Sequence, residues 1–76
     1  MTQVVVKEGE PIITRIDDDG AGTVYIGRAL LGTTTNAALW QIQKIVTAAT
    51  ITSMSWAGGD AEYEYVWDSR TTYSYS

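Results

Sequence analysis

Residues 56–76, WAGGDAEYEYVWDSRTTYSYS, contain most of the side chains of this chain that could do chemistry. Two of the three tryptophans and four of the five tyrosines lie there, beside the carboxylates of Asp60, Glu62, Glu64 and Asp68. Aromatic rings beside carboxylates can stack on sugars, paired carboxylates can hydrolyse glycosides, and oxygen ligands can hold a hard metal ion. The same rings also supply the large apolar area with a polar tip that is enriched where proteins meet.

The missing residue types exclude several of these chemistries. The 76 residues include no histidine and no cysteine, which removes imidazole bases, thiolate nucleophiles and thiolate metal sites. Glycoside hydrolysis needs two acids at a fixed separation in an enclosed cleft, for which so small a β domain has little room. No phosphate-binding glycine motif with its lysine occurs. We therefore expect a protein that is not an enzyme and that uses no cofactor.

The acidic stretch DDDGAG at 17–22 matches a calcium loop only in part. With Asp17 at position 1, Asp19 falls at position 3 and Gly22 at position 6. Position 5 is then Ala21, and position 12 is Arg28, where a calcium loop of this kind requires a bidentate glutamate. The stretch is instead expected to be a solvated turn, because Asp and Gly tolerate turn conformations and cap nearby amides.

Charge and length restrict the partners. A net charge of −4 argues against a binder of phosphate backbones. No apolar run approaches the ~20 residues of a membrane span, and the first residues lack a signal-peptide core. A chain this short buries only about 60% of its unfolded surface, so without disulfides it is expected to gain support from self-association. We expect neither nucleic acid nor a membrane among its partners.

The composition favours strands over helices. Threonine, valine and isoleucine are frequent and proline occurs once. The DDDGAG turn separates the β segments 11–16 and 23–30 and predicts a hairpin, with residues 4–6 as a further short β segment. The sequence thus predicts a single mainly β domain, residues 1–76, with five or six short strands in a small antiparallel sheet or sandwich.

Alternation within the strands assigns side chains to faces. In TVYIGRAL, Val24, Ile26 and the aliphatic stem of Arg28 lie on one face, and Tyr25 and Gly27 lie on the other. The stretch ITSMSW at 51–56 alternates in the same way. Both stretches are therefore predicted to be strands.

Two segments allow a choice of structure. Residues 36–49 form either a helix capped by Asn36 or strands, and the β-branched residues in the later half favour strands. Residues 60–67 form either a short helical turn begun by Asp60 or another alternating strand.

Four short patterns occur in order along residues 23–76. They are Y-I-G-x-A-x-x-G-T at 25–33, W-x-I-x-x-I at 40–45, W-A-x-G at 56–59 and V-W-D-x-R at 66–70. In these patterns the segment resembles a group of small structural proteins of tailed-phage virions. Gly58 departs from the resemblance, because an aspartate is frequent at that position, and residues 1–22 lie outside it.

The resemblance implies a non-enzymatic virion protein located in the tail, the tail fibre, the neck or on the capsid. It implies synthesis in the host cytoplasm, and partners that are copies of the chain and other virion proteins. A small module that stacks host-surface glycans on Trp56, Tyr63 and Trp67 is the alternative function, and a small cytoplasmic regulator of host proteins is a third.

Contacts with these partners are predicted from the strand edges and the aromatic rings. Edges attract further strands, and Trp and Tyr are enriched at interfaces. Asp68 and Arg70 are predicted to form a local ion pair or cap beside Trp67 that fixes the last segment. The interface candidates are Val4, Val5, Val6, Trp56, Tyr63, Tyr65, Trp67, Tyr73 and Tyr75.

Overall fold

Residues 11–76, which a computed structural model describes, form an antiparallel meander covered on one side. The strands are β1 (Ile12–Asp18), β2 (Thr23–Leu30), β3 (Ala38–Ala48), β4 (Ile51–Trp56) and the two-residue β5 (Tyr65–Val66). The first four are neighbours in sequence order, and β5 pairs with the start of β3. The predicted mainly β, antiparallel fold is confirmed. The predicted strand at residues 4–6 lies outside the described residues.

The turn between β1 and β2 is closed by its own aspartates. Asp18 Oδ1 accepts a hydrogen bond from the Gly20 amide at 2.9 Å. Asp19 Oδ1 accepts from the amides of Ala21 and Thr23 at 2.7 and 3.1 Å. These carboxylates satisfy backbone donors that the reversal of the chain would otherwise leave to water. The predicted hairpin is confirmed.

The long strand β3 resolves the choice between helix and strand for residues 36–49. It runs for 11 residues and contacts β2 along one side. Its other side pairs with β5 near Ala38 and with β4 from Gln43 to Ala48. A helix there would leave β2 and β4 without the partner between them, so the long-range pairing agrees with the β-branched composition.

The helical turn forms later than the predicted range 60–67. A single 3-10 turn occupies Trp67–Ser69. Asp60 does cap a local amide, since its Oδ1 accepts from Glu62 N at 3.1 Å, but the residues between form a loop that leads into β5. The pairing of β5 with β3 holds residues 65 and 66 extended, so the turn begins only after it.

The core lies between one face of the sheet and residues 67–76, which are called the covering segment below. Its fully buried members are Ala29, Trp40, Ile42 and Ala57, and Trp67 of the covering segment is 5% exposed. The segment ends against β4, where the Trp56 and Ser76 backbones exchange two hydrogen bonds of 3.0 and 3.2 Å. Within residues 11–76, no helix is long and apolar enough to cross a membrane.

Candidate functional site

The tyrosine hydroxyls of the covering segment form hydrogen bonds with backbone groups of the same chain. The Tyr75 hydroxyl donates to the Arg70 carbonyl at 2.6 Å. The Tyr73 hydroxyl accepts from the Val66 amide at 2.8 Å. The Tyr75 ring also packs 5.7 Å from the ring of Tyr25 on the sheet. Tyr73 and Tyr75, predicted as interface residues, therefore fix an irregular segment to its own sheet.

Tyr65 is fastened in a similar way. Its hydroxyl donates to Asp60 Oδ2 at 2.8 Å, and its ring meets that of Tyr73 edge-on at 5.0 Å. Burial, followed by the bond to Asp60, raises the pKa of Tyr65 to about 12. Burial and the neighbouring tyrosines likewise raise the pKa of Tyr75 to about 12. Both phenols stay neutral where ordinary tyrosines ionise, which fits internal hydrogen bonds better than exposed contact groups.

Trp67 lies in the core, so its predicted place on a contact surface is wrong. Its ring stacks against Trp40 with the centroids 5.9 Å apart, and the Arg70 guanidinium lies 4.6 Å from its centroid on the solvent side. The ring occupies the hollow that Gly27 leaves in the sheet, where an added Cβ would lie 2.7 Å from Trp67 Cζ3. The glycine of β2 is what admits the indole.

The predicted ion pair between Asp68 and Arg70 is not formed. Arg70 Nη2 and Nε both contact Asp17 Oδ2 of β1 at 3.0 Å. Asp68 instead accepts from the Thr35 hydroxyl at 3.2 Å, and its amide donates to the Thr35 carbonyl at 3.1 Å. Residues two apart in a turn of about three residues point in different directions, which separates the two side chains. Arg70 does help to fix the last segment, but through β1.

A shallow groove of about 320 Å³ runs along the outer edge of β1. Pro11 and Asp19 direct their backbone hydrogen bonds towards β2, so the even-numbered residues between them direct theirs away from the sheet. Within residues 11–76 these backbone groups have no partner strand, and the groove therefore offers them to an added strand. Its lining residues are Ile13, Thr14, Arg15, Ile16, Asp17, Trp67 and Arg70.

The face of the sheet opposite the covering segment is open. On its outer strands Ile16 of β1 is 66% exposed and Met54 of β4 is 62% exposed, whereas Gln43 at its centre is 7% exposed. The loop before β5 reaches the edge of this face, where Gln41 Nε2 donates to the Ala61 carbonyl at 2.9 Å. The paired registers align two rows across all four strands, each with three apolar side chains and one polar or charged one. The central row is Ile16, Ile26, Gln43 and Trp56, and the next row is Asp18, Val24, Ile45 and Met54.

Charges of opposite sign flank the central row. Arg28 lies in the row on one side of it, between Thr14 and Gln41, and Asp18 lies in the row on the other side. Among the described residues the one salt bridge joins Arg70 to Asp17, so Arg28 has no carboxylate partner there. This open face, defined by the central row and the rows on either side, combines the apolar side chains of the two rows above with the polar Thr14, Gln41 and Gln43 and carries one charge at each end.

The structure separates the predicted interface residues into two groups. Trp56 lies on the open face, paired with Gln43, whereas Trp67 lies in the core on the opposite side of the sheet. Tyr63 is half-buried in the loop before β5. Trp56, Tyr63 and Trp67 therefore do not form one stacking platform. Val4, Val5 and Val6 lie outside the described residues.

Sequence reasoning missed the apolar residues of the open face, chiefly Ile16, Ile26 and Met54. The alternation of Ile26 and Met54 with covered positions was visible in TVYIGRAL and ITSMSW, but alternation does not say which face stays open. Within residues 11–76, no group of three acidic side chains is close enough to hold a metal ion. No family model, curated protein or solved structure matches the chain.

Proposed function

We propose that this protein is a non-enzymatic structural component of a tailed-phage virion that assembles with copies of itself and with other virion proteins. The observation that carries the proposal is the open face. A sheet of four strands with one covered side leaves exposed apolar side chains on the other, among them Ile16 and Met54. Exposed contiguous apolar surface of this kind is typical of protein interaction sites.

The residues that carry the sequence resemblance support a structural role. Most of those at the centre of the molecule build the fold: Gly27 admits Trp67, and Trp40 packs against it. Gly27, Ala29, Trp40, Ile42, Ala57 and Trp67 are all buried. The resemblance is thus one of scaffold residues, with the surface left to supply contacts.

The strand edges add a second means of assembly. The outer edge of β1 is unpaired within residues 11–76, and the outer edge of β4 is paired only near its end, by Ser76 at Trp56. Strand addition at such edges provides backbone hydrogen bonds that do not depend on side-chain chemistry. Free edges are otherwise a risk of uncontrolled aggregation, which assembly into a particle would remove.

Two measurements test the proposal. Light scattering coupled to size exclusion, over a range of concentrations, should show a discrete multimer of the purified chain. Mass spectrometry of purified phage particles should then detect the chain at a constant ratio to a major virion protein. A monomer at every concentration would refute self-assembly, and presence in the infected cell but absence from the particles would refute the virion role.

A further inference from the structure

We propose that the open face is the surface on which a second copy of this chain packs, forming a two-fold symmetric pair of stacked sheets. The inference rests on the proposed self-assembly and specifies its interface. Two features of the open face carry it, namely a pattern of charges that complements itself and an extent that suits a small stable interface.

Symmetry brings the charges together when the two-fold axis lies along the central row. Rotation about that axis exchanges the row containing Arg28 with the row containing Asp18 and Val24. Arg28 of the second copy then lies over Val24, which is the cross-strand partner of Asp18. Each copy contributes one such Arg28–Asp18 contact, so the interface contains two, as an isologous dimer requires.

The middle of the interface is apolar apart from Gln43, which lies between Ile26 and Trp56 in the central row and is 7% exposed. Ile16, Ile26 and Trp56 of one copy face the same row of the other, because residues on the axis meet their own equivalents. Sheets pack face to face about 10 Å apart, with their strands inclined by roughly 30°, which lets such side chains interdigitate. Arg28 and Asp18 lie towards the rim, where charges set orientation more than affinity.

The size of the face is near the lower limit for a stable interface. Four strands spaced ~4.8 Å apart, over about seven residues of ~3.3 Å each, cover roughly 440 Å² in projection. Side-chain corrugation raises the accessible area above this flat value. It then approaches the ~600–1,000 Å² that each partner contributes to a standard interface.

Charge reversal tests the pairing in the full-length chain. In Arg28→Glu, two glutamates meet two aspartates across the axis, and in Asp18→Arg, two arginines meet two arginines. Each variant alone should associate at least about tenfold more weakly than the parent chain, because like charges oppose docking. Mixed in equal amounts, the two variants should form a heterodimer, since each contact then joins opposite charges.

Asp68→Arg is the matched control. It makes the same change of charge as Asp18→Arg, but the exposed Asp68 lies in the covering segment, on the side of the sheet away from the open face and away from the groove of β1. It should associate like the parent chain. Sedimentation velocity measures the association, and near-ultraviolet circular dichroism checks that each variant keeps the native packing of its aromatic rings. Asp19 retains its two backbone hydrogen bonds in Asp18→Arg, so the turn is expected to persist.

Met54→Glu separates the remaining outcomes. It should abolish the dimer while leaving the fold intact, because the exposed Met54 is in the row next to the axis. A multimer that is indifferent to Met54→Glu and to both charge reversals would overturn this interface and leave self-assembly standing. A parent chain that is monomeric throughout would overturn both. A monomer whose fold is destabilised by Met54→Glu would mean that another part of the same chain covers the face.

Discussion

Replacing Gly27 with alanine should test whether this glycine is what admits Trp67 to the core. The new Cβ would lie 2.7 Å from Trp67 Cζ3, which is an overlap, and 3.1 Å from Trp40 Cε3, which is a contact too tight by a few tenths of an ångström. Overpacking of this kind costs about 1–3 kcal/mol. A domain of this size has a total stability of about 4–11 kcal/mol, so the substitution removes a substantial part of it.

Urea denaturation followed by tryptophan fluorescence measures the effect. With a slope of about 1 kcal/mol per molar urea, the midpoint should fall by about 1–3 M. Trp67→Leu is the matched background, because the smaller side chain leaves room for the new methyl group. In that background Gly27→Ala should cost less than about 0.5 kcal/mol, since the clash is gone. A loss of equal size in both backgrounds would refute the steric argument and attribute the cost to the strand backbone.

Three further predictions follow from contacts described above. Arg70→Ala should lower the free energy of unfolding by about 1–2 kcal/mol, and Asp17→Asn by no more than about 1 kcal/mol. Only Arg70→Ala removes the contact between the guanidinium and the Trp67 ring as well as the ion pair, so equal losses would contradict this reasoning. The pKa values of Tyr65 and Tyr75 are raised in the fold to about 12 from an ordinary 10.0, so their contribution is complete below pH 10 and is lost towards pH 12. The free energy of unfolding should therefore fall across that window by at most about 1.4 kcal/mol per pH unit for each tyrosine, and by less because both side chains are partly in water, which screens them. The urea midpoint should fall with it, and replacing both tyrosines with phenylalanine should flatten the fall. Asp19→Ala removes two exposed backbone contacts and should destabilise by about 1 kcal/mol in thermal unfolding, whereas an unchanged midpoint would mean that the glycines alone hold the turn.

Local chemistry made the sheet predictable. The DDDGAG turn and the alternation in ITSMSW each depend on neighbouring residues, and both gave the correct element. The choice of strand for residues 36–49 depended on β-branched composition and was correct for the same reason. Fold class could thus be derived before any long-range contact was known.

The candidate site was less predictable, because it depends on which face of the sheet the covering segment packs against. Trp67 and Trp56 are equally aromatic in the sequence, yet one is buried and the other lies on the open face. The difference in burial between the two tryptophans follows from Gly27, some 40 residues before Trp67, because its lack of a side chain leaves room for that indole. The partner of Arg70 is 53 residues away, so the nearby Asp68 was the natural but wrong choice. Such pairings arise only when the chain returns to its first strand.

The position of the covering segment also has a consequence for the newly made chain. Adjacent strands of a meander can pair within about 1–10 μs of becoming available, as hairpins do. Residues 57–76, which follow β4 and include the covering segment, take about 1–4 s to synthesise at ordinary translation rates. Until the covering segment has been made and has docked, any strands that have left the ribosome and paired present both apolar faces. This interval is when a chaperone, or a neighbouring nascent chain of the same protein, has access to the future core.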